Sequence, residues 1–173
     1  MTTPFVSPEW ARTMARYTAW QNAAQREAIL ALPDGALHRD RGAFFGSILG
    51  TANHLLWGDR VWLARFRGEA APPSSIADSV ALTPDAAAWA EARAATDAEL
   101  TAWAGCLTEA DVAGELTWWS GAQGREVRRP RGVLLVHVFN HGTHHRGQLH
   151  AMLTAAGARL PDTDLAFLPE PDA

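Results

Sequence analysis

A helix-start pattern that occurs twice does most to constrain the fold. Ser7-Pro8-Glu9 and Thr83-Pro84-Asp85 each set a capping residue before a proline at the first helical position and an acid in the first turn. After the first, apolar residues recur at helical spacing until Pro33-Asp34-Gly35, which predicts a first helix from Pro8 to Leu32. After the second, a further helix is predicted from about Pro84 to Trp103. Between them Phe44, Ile48, Thr51, Leu55, Gly58, Trp62 and Phe66 follow three- and four-residue steps, so a helix is predicted over Phe44 to Phe66. The stretch GEAAPPSSIADS after Arg67 resists a helix and reads as a long crossover. Leu134, Val138, His141, His145, Leu149 and Met152 mark a fourth helix, Gly132 to Ala156, with Gly157 just past its end. LTWWSGAQGREVRR, between Gly105 and Pro130, has β-prone flanks around a Gly-Ala-Gln-Gly centre and predicts a short hairpin. The expected class is all-α, a four-helix bundle with a short hairpin before the last helix, and not α/β.

A chain of 173 residues, 47% hydrophobic and 20% charged, has enough apolar surface for one core, so a single domain over 1–173 is expected. Its last part, 160–173, is rich in proline and acids and reads as an extended tail, with Leu165, Phe167 and Leu168 docking its first half. The net charge of -4 argues against nucleic acid as a partner. No apolar run reaches the roughly 18 residues a membrane span needs, and MTTPFVSPEW lacks a basic-then-apolar leader, so a cytoplasmic protein is expected. All 15 basic residues are arginine, which removes Schiff-base lysine chemistry and the phosphate-loop lysine. Cys106 has no partner for an internal disulfide and is expected to be a small packing residue.

Chemistry concentrates in HVFNHGTHHRGQLH, where five of the seven histidines fall between His137 and His150. Random placement would give about 0.3 pairs at a spacing of four; the chain has two, His137–His141 and His141–His145. Residues four apart share a helix face, so His141 and His145 can converge on one ion with metal–nitrogen bonds of about 2.0 to 2.1 Å. Two ligands hold a divalent ion weakly, and His54, in TANHLLWGDRVW on the second helix, supplies the third. Three neutral imidazoles with an open position suit a working site, in which the ion acidifies water or activates a thiol or carbonyl; a structural site would normally have four ligands.

The remaining residues carry plainer alternatives. His38, His144 and His150 are expected to be surface or hydrogen-bonded imidazoles. His137, Asn140, Arg146 and Gln148 are candidates to support the ligands or orient substrate, against the alternative of a solvated helix flank. Asp59 and Arg60 read as an exposed charged pair ahead of a role as an anchor, and Trp57, Trp62, Trp118 and Trp119 as core ahead of a pocket wall.

NHLLWGDRVWLARF on the second helix, HVFNHGTHHRGQLHAMLTAAG on the fourth and the closing PDTDL resemble the DinB family of bacterial proteins. The resemblance runs from the region of RYTAWQNAAQ to the tail. It implies a DinB/YfiT-like bundle in up-down-down-up order, in which His54, His141 and His145 bind a divalent ion such as nickel, zinc or iron. Within H-G-T-H-H it selects the first and last histidines, the same pair as the helical spacing. Family members with known activity are similar to low-molecular-weight-thiol S-transferases and are commonly dimers, and the family name refers to induction by DNA damage, not to DNA chemistry. The expected function is therefore that of a metal-dependent enzyme, a thiol S-transferase or hydrolase acting on a small thiol and an electrophile, as a homodimer. The alternatives are a non-catalytic metal-binding or stress-response bundle, and a helical interaction module whose histidines pack without an ion.

Overall fold

Side-chain caps decide where the long helices begin. In the computed structural model, which describes residues 5–170, Ser7 accepts from the backbone N–H of Trp10 and opens α1 (Pro8–Ala31), as its motif predicts. A single helical turn, α2 (Asp34–His38), follows where Pro33-Asp34-Gly35 reads only as a stop, with His38 exposed beside Asp34. The next helix, α3 (Ile48–Arg67), starts one turn later than predicted, because Ser47 caps the N–H of Gly50 and Gly46 takes a positive φ. Phe44 consequently stands outside the helix, 83% exposed, and not on its buried face. The third long helix also starts later than predicted: Asp85, not Thr83, caps α4 (Ala86–Gly105) through the N–H of Ala88. Thr83 is instead held by Asn53 of α3, whose Oδ1 accepts from both its N–H and its hydroxyl.

After α4 a capping box at Thr108 and Asp111 supports a one-turn helix, α5 (Glu109–Val112). Strands β1 (Glu115–Ser120) and β2 (Arg125–Pro130) then pair antiparallel, with Trp118 opposite Val127. Alternation along β1 turns Leu116, Trp118 and Ser120 inwards and leaves Trp119 67% exposed, so Trp119 is not core. The last helix, α6 (Arg131–Ala155), ends before Gly157, whose φ of 90° suits glycine. Short 3-10 turns lie at Asp78–Ala81 and Leu165–Phe167.

The molecule is thus predominantly helical with a small two-stranded sheet. α1 packs on α4 and α6, and α3 packs on the same two. Its apolar interior forms two clusters. One holds Ala11 and Ala15 of α1, Leu63 and Phe66 of α3, Leu100 and Ala104 of α4, and Leu134 to Phe139 of α6. The other holds Ala28 and Ile29, Ile48 to Leu56, Trp89 and Ala90, and Leu149 to Leu153 from the same four helices.

Between the clusters runs a buried polar layer. Arg93 sits 2.7 Å from Asp59 and 2.8 Å from Asp97, all three buried, and Asn22 donates to Asp97. Burial opposes the charge on Arg93, but the two carboxylates hold it protonated. Asp59 is therefore an interior ion-pair partner and not an exposed charge, because α4 presents a guanidinium to that face of α3. Arg60 lies at the edge of the layer and donates to Thr96.

The tail docks differently from its sequence-based expectation. Leu165 and Phe167 are exposed, and the segment is held instead by Tyr17 and Gln21, which donate to the carbonyl of Thr163. Residues 171–173 of the expected tail lie outside the described residues. Cys106 is exposed at the end of α4, where the chain leaves the bundle, and is not a packing residue. Among the described residues no helix is long and apolar enough to cross a membrane.

Candidate metal centre

The packing of α3 on α6 brings His54 of the first against His141 and His145 of the second. Gly58, one turn beyond His54, permits the approach: a Cβ there would lie 3.1 Å from Cε1 of His141. One nitrogen from each of the three imidazoles lies within 4.8 Å of the others, with His54 and His145 buried and His141 half-buried.

Hydrogen bonds outside the trio fix which nitrogen faces inwards. Ser79 donates its hydroxyl proton to the carbonyl of Ile76, so at 2.9 Å its oxygen accepts from Nδ1–H of His54. The Nε2 lone pair of His54 is thereby left free for the site. Likewise Nδ1–H of His145 donates to Oε1 of Gln148 at 2.8 Å, freeing its Nε2. Phe45 stacks on the His54 ring at a centroid distance of 3.7 Å and closes that side.

Donor type, spacing and charge state all fit a divalent ion. Nε2 of His54 and Nε2 of His141 are 3.4 Å apart. Two ligands at about 2.0 to 2.1 Å in tetrahedral geometry are separated by about 3.3 to 3.4 Å. Metal ligation also requires neutral imidazoles. Burial, reinforced by His145, pushes His54 down to about 4, and burial with the neighbouring histidines pushes His141 down to about 3. Burial lowers His145 too. The three-histidine group can therefore hold a divalent metal ion.

The trio opens onto a cleft of about 1100 Å³. Trp57, Trp62 and Trp118 form its walls, the reading that ranked second for them in the sequence. Trp57 donates its indole N–H to the carbonyl of Ser74, and Trp118 reaches Trp62 from β1.

Of the residues expected to support the ligands, Gln148 touches His145, and its amide also donates to His144 at the rim. The His137 ring lies 5.8 Å from that of His141 and lines the cleft. Asn140 is exposed. Arg146 points into the interior, where its Nε donates to Gln21.

A model described as the DinB family matches residues 1–172. The chain belongs to the DinB family. Its sequence is 25% identical over 162 residues to Protein DinB of Bacillus subtilis (strain 168), covering 90% of this chain and 91% of that one. No solved structure matches. In this DinB-family chain the residues that sequence reasoning missed are Ser79 and Phe45, which orient and cover His54. Ser79 lies in the serine- and proline-rich crossover, where one more serine carries no signal, and Phe45 reads as part of a helix that begins only at Ile48.

Proposed function

We propose that His54, His141 and His145 bind one divalent ion, nickel, zinc or iron, and that the chain is a cytoplasmic, homodimeric, metal-dependent enzyme. Its substrates are a low-molecular-weight thiol and a small electrophile, or water and a hydrolysable electrophile. The observation that carries this reading is the 3.4 Å separation of two inward-facing Nε2 atoms beneath a cleft of about 1100 Å³. When bound, the ion would supply the positive charge that keeps a thiol as thiolate or acidifies water near neutral pH.

The chain's own residues prepare that site. Ser79 and Gln148 hold the tautomers of His54 and His145, Phe45 keeps water from the His54 ring, and the tryptophan walls receive the apolar part of a substrate. Among the described residues no cysteine or carboxylate lines the cleft.

In the same reading, 1–173 is one domain and its long helices run up-down-down-up. The order of core residues along each helix supports this. α1 and α6 contribute to the cluster of Leu63 and Phe66 first and to the cluster of Ile48 and Leu55 second, and α3 and α4 do the reverse.

Elemental mass spectrometry of untagged protein tests the proposal. About one divalent ion per chain is expected, lost in His54→Ala and His145→Ala. Protein that takes up no nickel, zinc or iron would refute it. Full metal occupancy without turnover across a panel of thiols and electrophiles would leave a non-catalytic metal-binding bundle.

A further inference from the structure

Arg65 stands apart from its neighbours on α3. Arg60 donates to Thr96, and Arg67 lies 3.6 Å from Glu99. Among the described residues Arg65 forms no ion pair, although it is half-buried in the cleft wall. Its guanidinium lies over Trp62, 4.6 Å from the ring centroid, and 5.6 Å from that of Trp118. Stacking engages the faces of a guanidinium and leaves its in-plane N–H groups free to donate. The two tryptophans thus hold a cation in fixed orientation without neutralising it, and burial pushes its pKa down, as expected of a charge lacking a counter-ion.

The rest of the cleft lining adds no negative charge to oppose it. Asp and Glu together supply 19 of the 173 residues and the chain is net negative, yet among the described residues neither type lines the cleft. Arg65 and the histidines are its titratable groups, and the histidine trio is suited to a divalent cation. An arginine without a counter-ion, in a cleft lined by no acid, draws anions to its end of the cleft.

Placement supplies the ligand's length. Arg65 follows His54 by eleven residues on one helix, about 16 Å at 1.5 Å per residue. A helical side chain leans towards the N-terminus, which brings the guanidinium closer to the trio. The His137 ring lines the interval, 5.1 Å from Trp62 and 5.8 Å from His141.

We propose that Arg65 is the anion-binding residue of the cleft, and that it takes the carboxylate of an elongated small molecule whose other end reaches His54, His141 and His145. The planar fork suits a carboxylate through two parallel hydrogen bonds, and the tryptophans pack the ligand's apolar middle. The location of the reacting end rests on the metal-centre reading; the anion subsite does not.

The test uses full-length protein, either treated with EDTA or loaded with zinc. Fluorescent N-phenyl-1-naphthylamine, a neutral aromatic, occupies the cleft and is displaced by 4-phenylbutyrate or by its neutral counterpart, 4-phenyl-1-butanol. In both forms the carboxylate is expected to displace the dye at a concentration at least tenfold below that of the alcohol. Arg65→Met should abolish the difference and still bind the dye within about twofold of the parent, and Arg65→Lys should keep part of it. Equal potency of acid and alcohol in the parent, a preference that survives in Arg65→Met, or failure of the dye to bind would overturn the proposal. A carboxylate preference in protein that takes up no zinc would refute the metal centre alone, and zinc uptake without the preference would refute the anion subsite alone.

Discussion

Replacing Gly58 with alanine sets two effects of known size against each other. Gly58 has no positive φ and lies inside α3, so alanine restricts the unfolded chain and favours the helix by about 1 kcal/mol. In a chain of this length that raises Tm by about 2 to 4 °C. The new Cβ would stand 3.1 Å from Cε1 and 3.6 Å from Nδ1 of His141. Carbon atoms settle at about 3.5 to 4.0 Å, so the ring must retreat by a few tenths of an ångström. Without metal the half-buried ring can pivot towards the cleft, and the helix gain should prevail. With metal the same retreat disturbs the 3.4 Å approach to His54, and metal–ligand distances tolerate only about 0.2 Å. Disturbing a ligand's support costs about 10- to 100-fold in affinity, or about 1.4 to 2.7 kcal/mol of the stabilisation that saturating metal confers. Calorimetry with and without zinc at fixed free concentration reads both effects: the apo Tm holds or rises, and the zinc-induced rise shrinks by at least about 3 °C. A zinc-induced rise equal to that of the parent would refute the reasoning, as would an apo Tm several degrees lower.

Ser79→Ala removes the acceptor that fixes the His54 tautomer, and zinc affinity measured against a chelator should fall about 10- to 100-fold; unchanged affinity would mean that the ring is oriented by packing alone. Asp59→Ala leaves Arg93 buried with one carboxylate fewer, and urea unfolding should report a loss of about 3 to 5 kcal/mol; a loss under about 1 kcal/mol would show that the pair is solvated. The apo protein should lose stability as pH falls. His54 and His141 take up protons near 6.5 when unfolded but only near about 4 and about 3 when folded, so across that window the unfolded state binds more protons. A denaturation midpoint that stays flat from pH 7 to pH 4 would contradict the burial of these rings.

The parts legible in the sequence were those written within one turn of a helix. Ser7 and Gly157 mark helix ends through their own backbone preferences, and the four-residue step of His141 and His145 puts both on one face whatever surrounds them. The helix start expected at Phe44 and the cap expected at Thr83 differ from those observed because periodicity continues past a boundary that a cap two or three residues away decides. There Ser47 and Asp85 compete successfully, and Thr83 is drawn off by Asn53, thirty residues earlier. Contacts of long sequence separation left no local trace. Arg93 is thirty-four residues from Asp59 and Ser79 twenty-five from His54, and a single serine or arginine carries no periodic signal. The tryptophans misled for a related reason, since their area makes core the default and only the approach of β1 to α3 turns Trp62 and Trp118 into a cleft wall.

The polar layer explains how a bundle of this composition holds three nitrogens to the tolerance a metal needs. The two apolar clusters consist largely of alanine, leucine and isoleucine, side chains that repack with little loss when a helix shifts along its neighbour. A shift of one turn, about 5.4 Å, would carry Asp59 away from Arg93 and place a charge against leucines at an uncompensated cost of several kcal/mol. On α6 the same applies to Arg146, whose Nε meets Gln21 of α1 and whose carbonyl accepts from Gln25. Because Arg146 directly follows His145, and Asp59 follows Gly58, the residues that lock the register of α3 and α6 are sequence neighbours of those that form the site. A buried ion network adds little net stability, so its contribution here lies in making one alignment of α3 against α6 much better than the next, and that alignment brings His54 to His141 and His145.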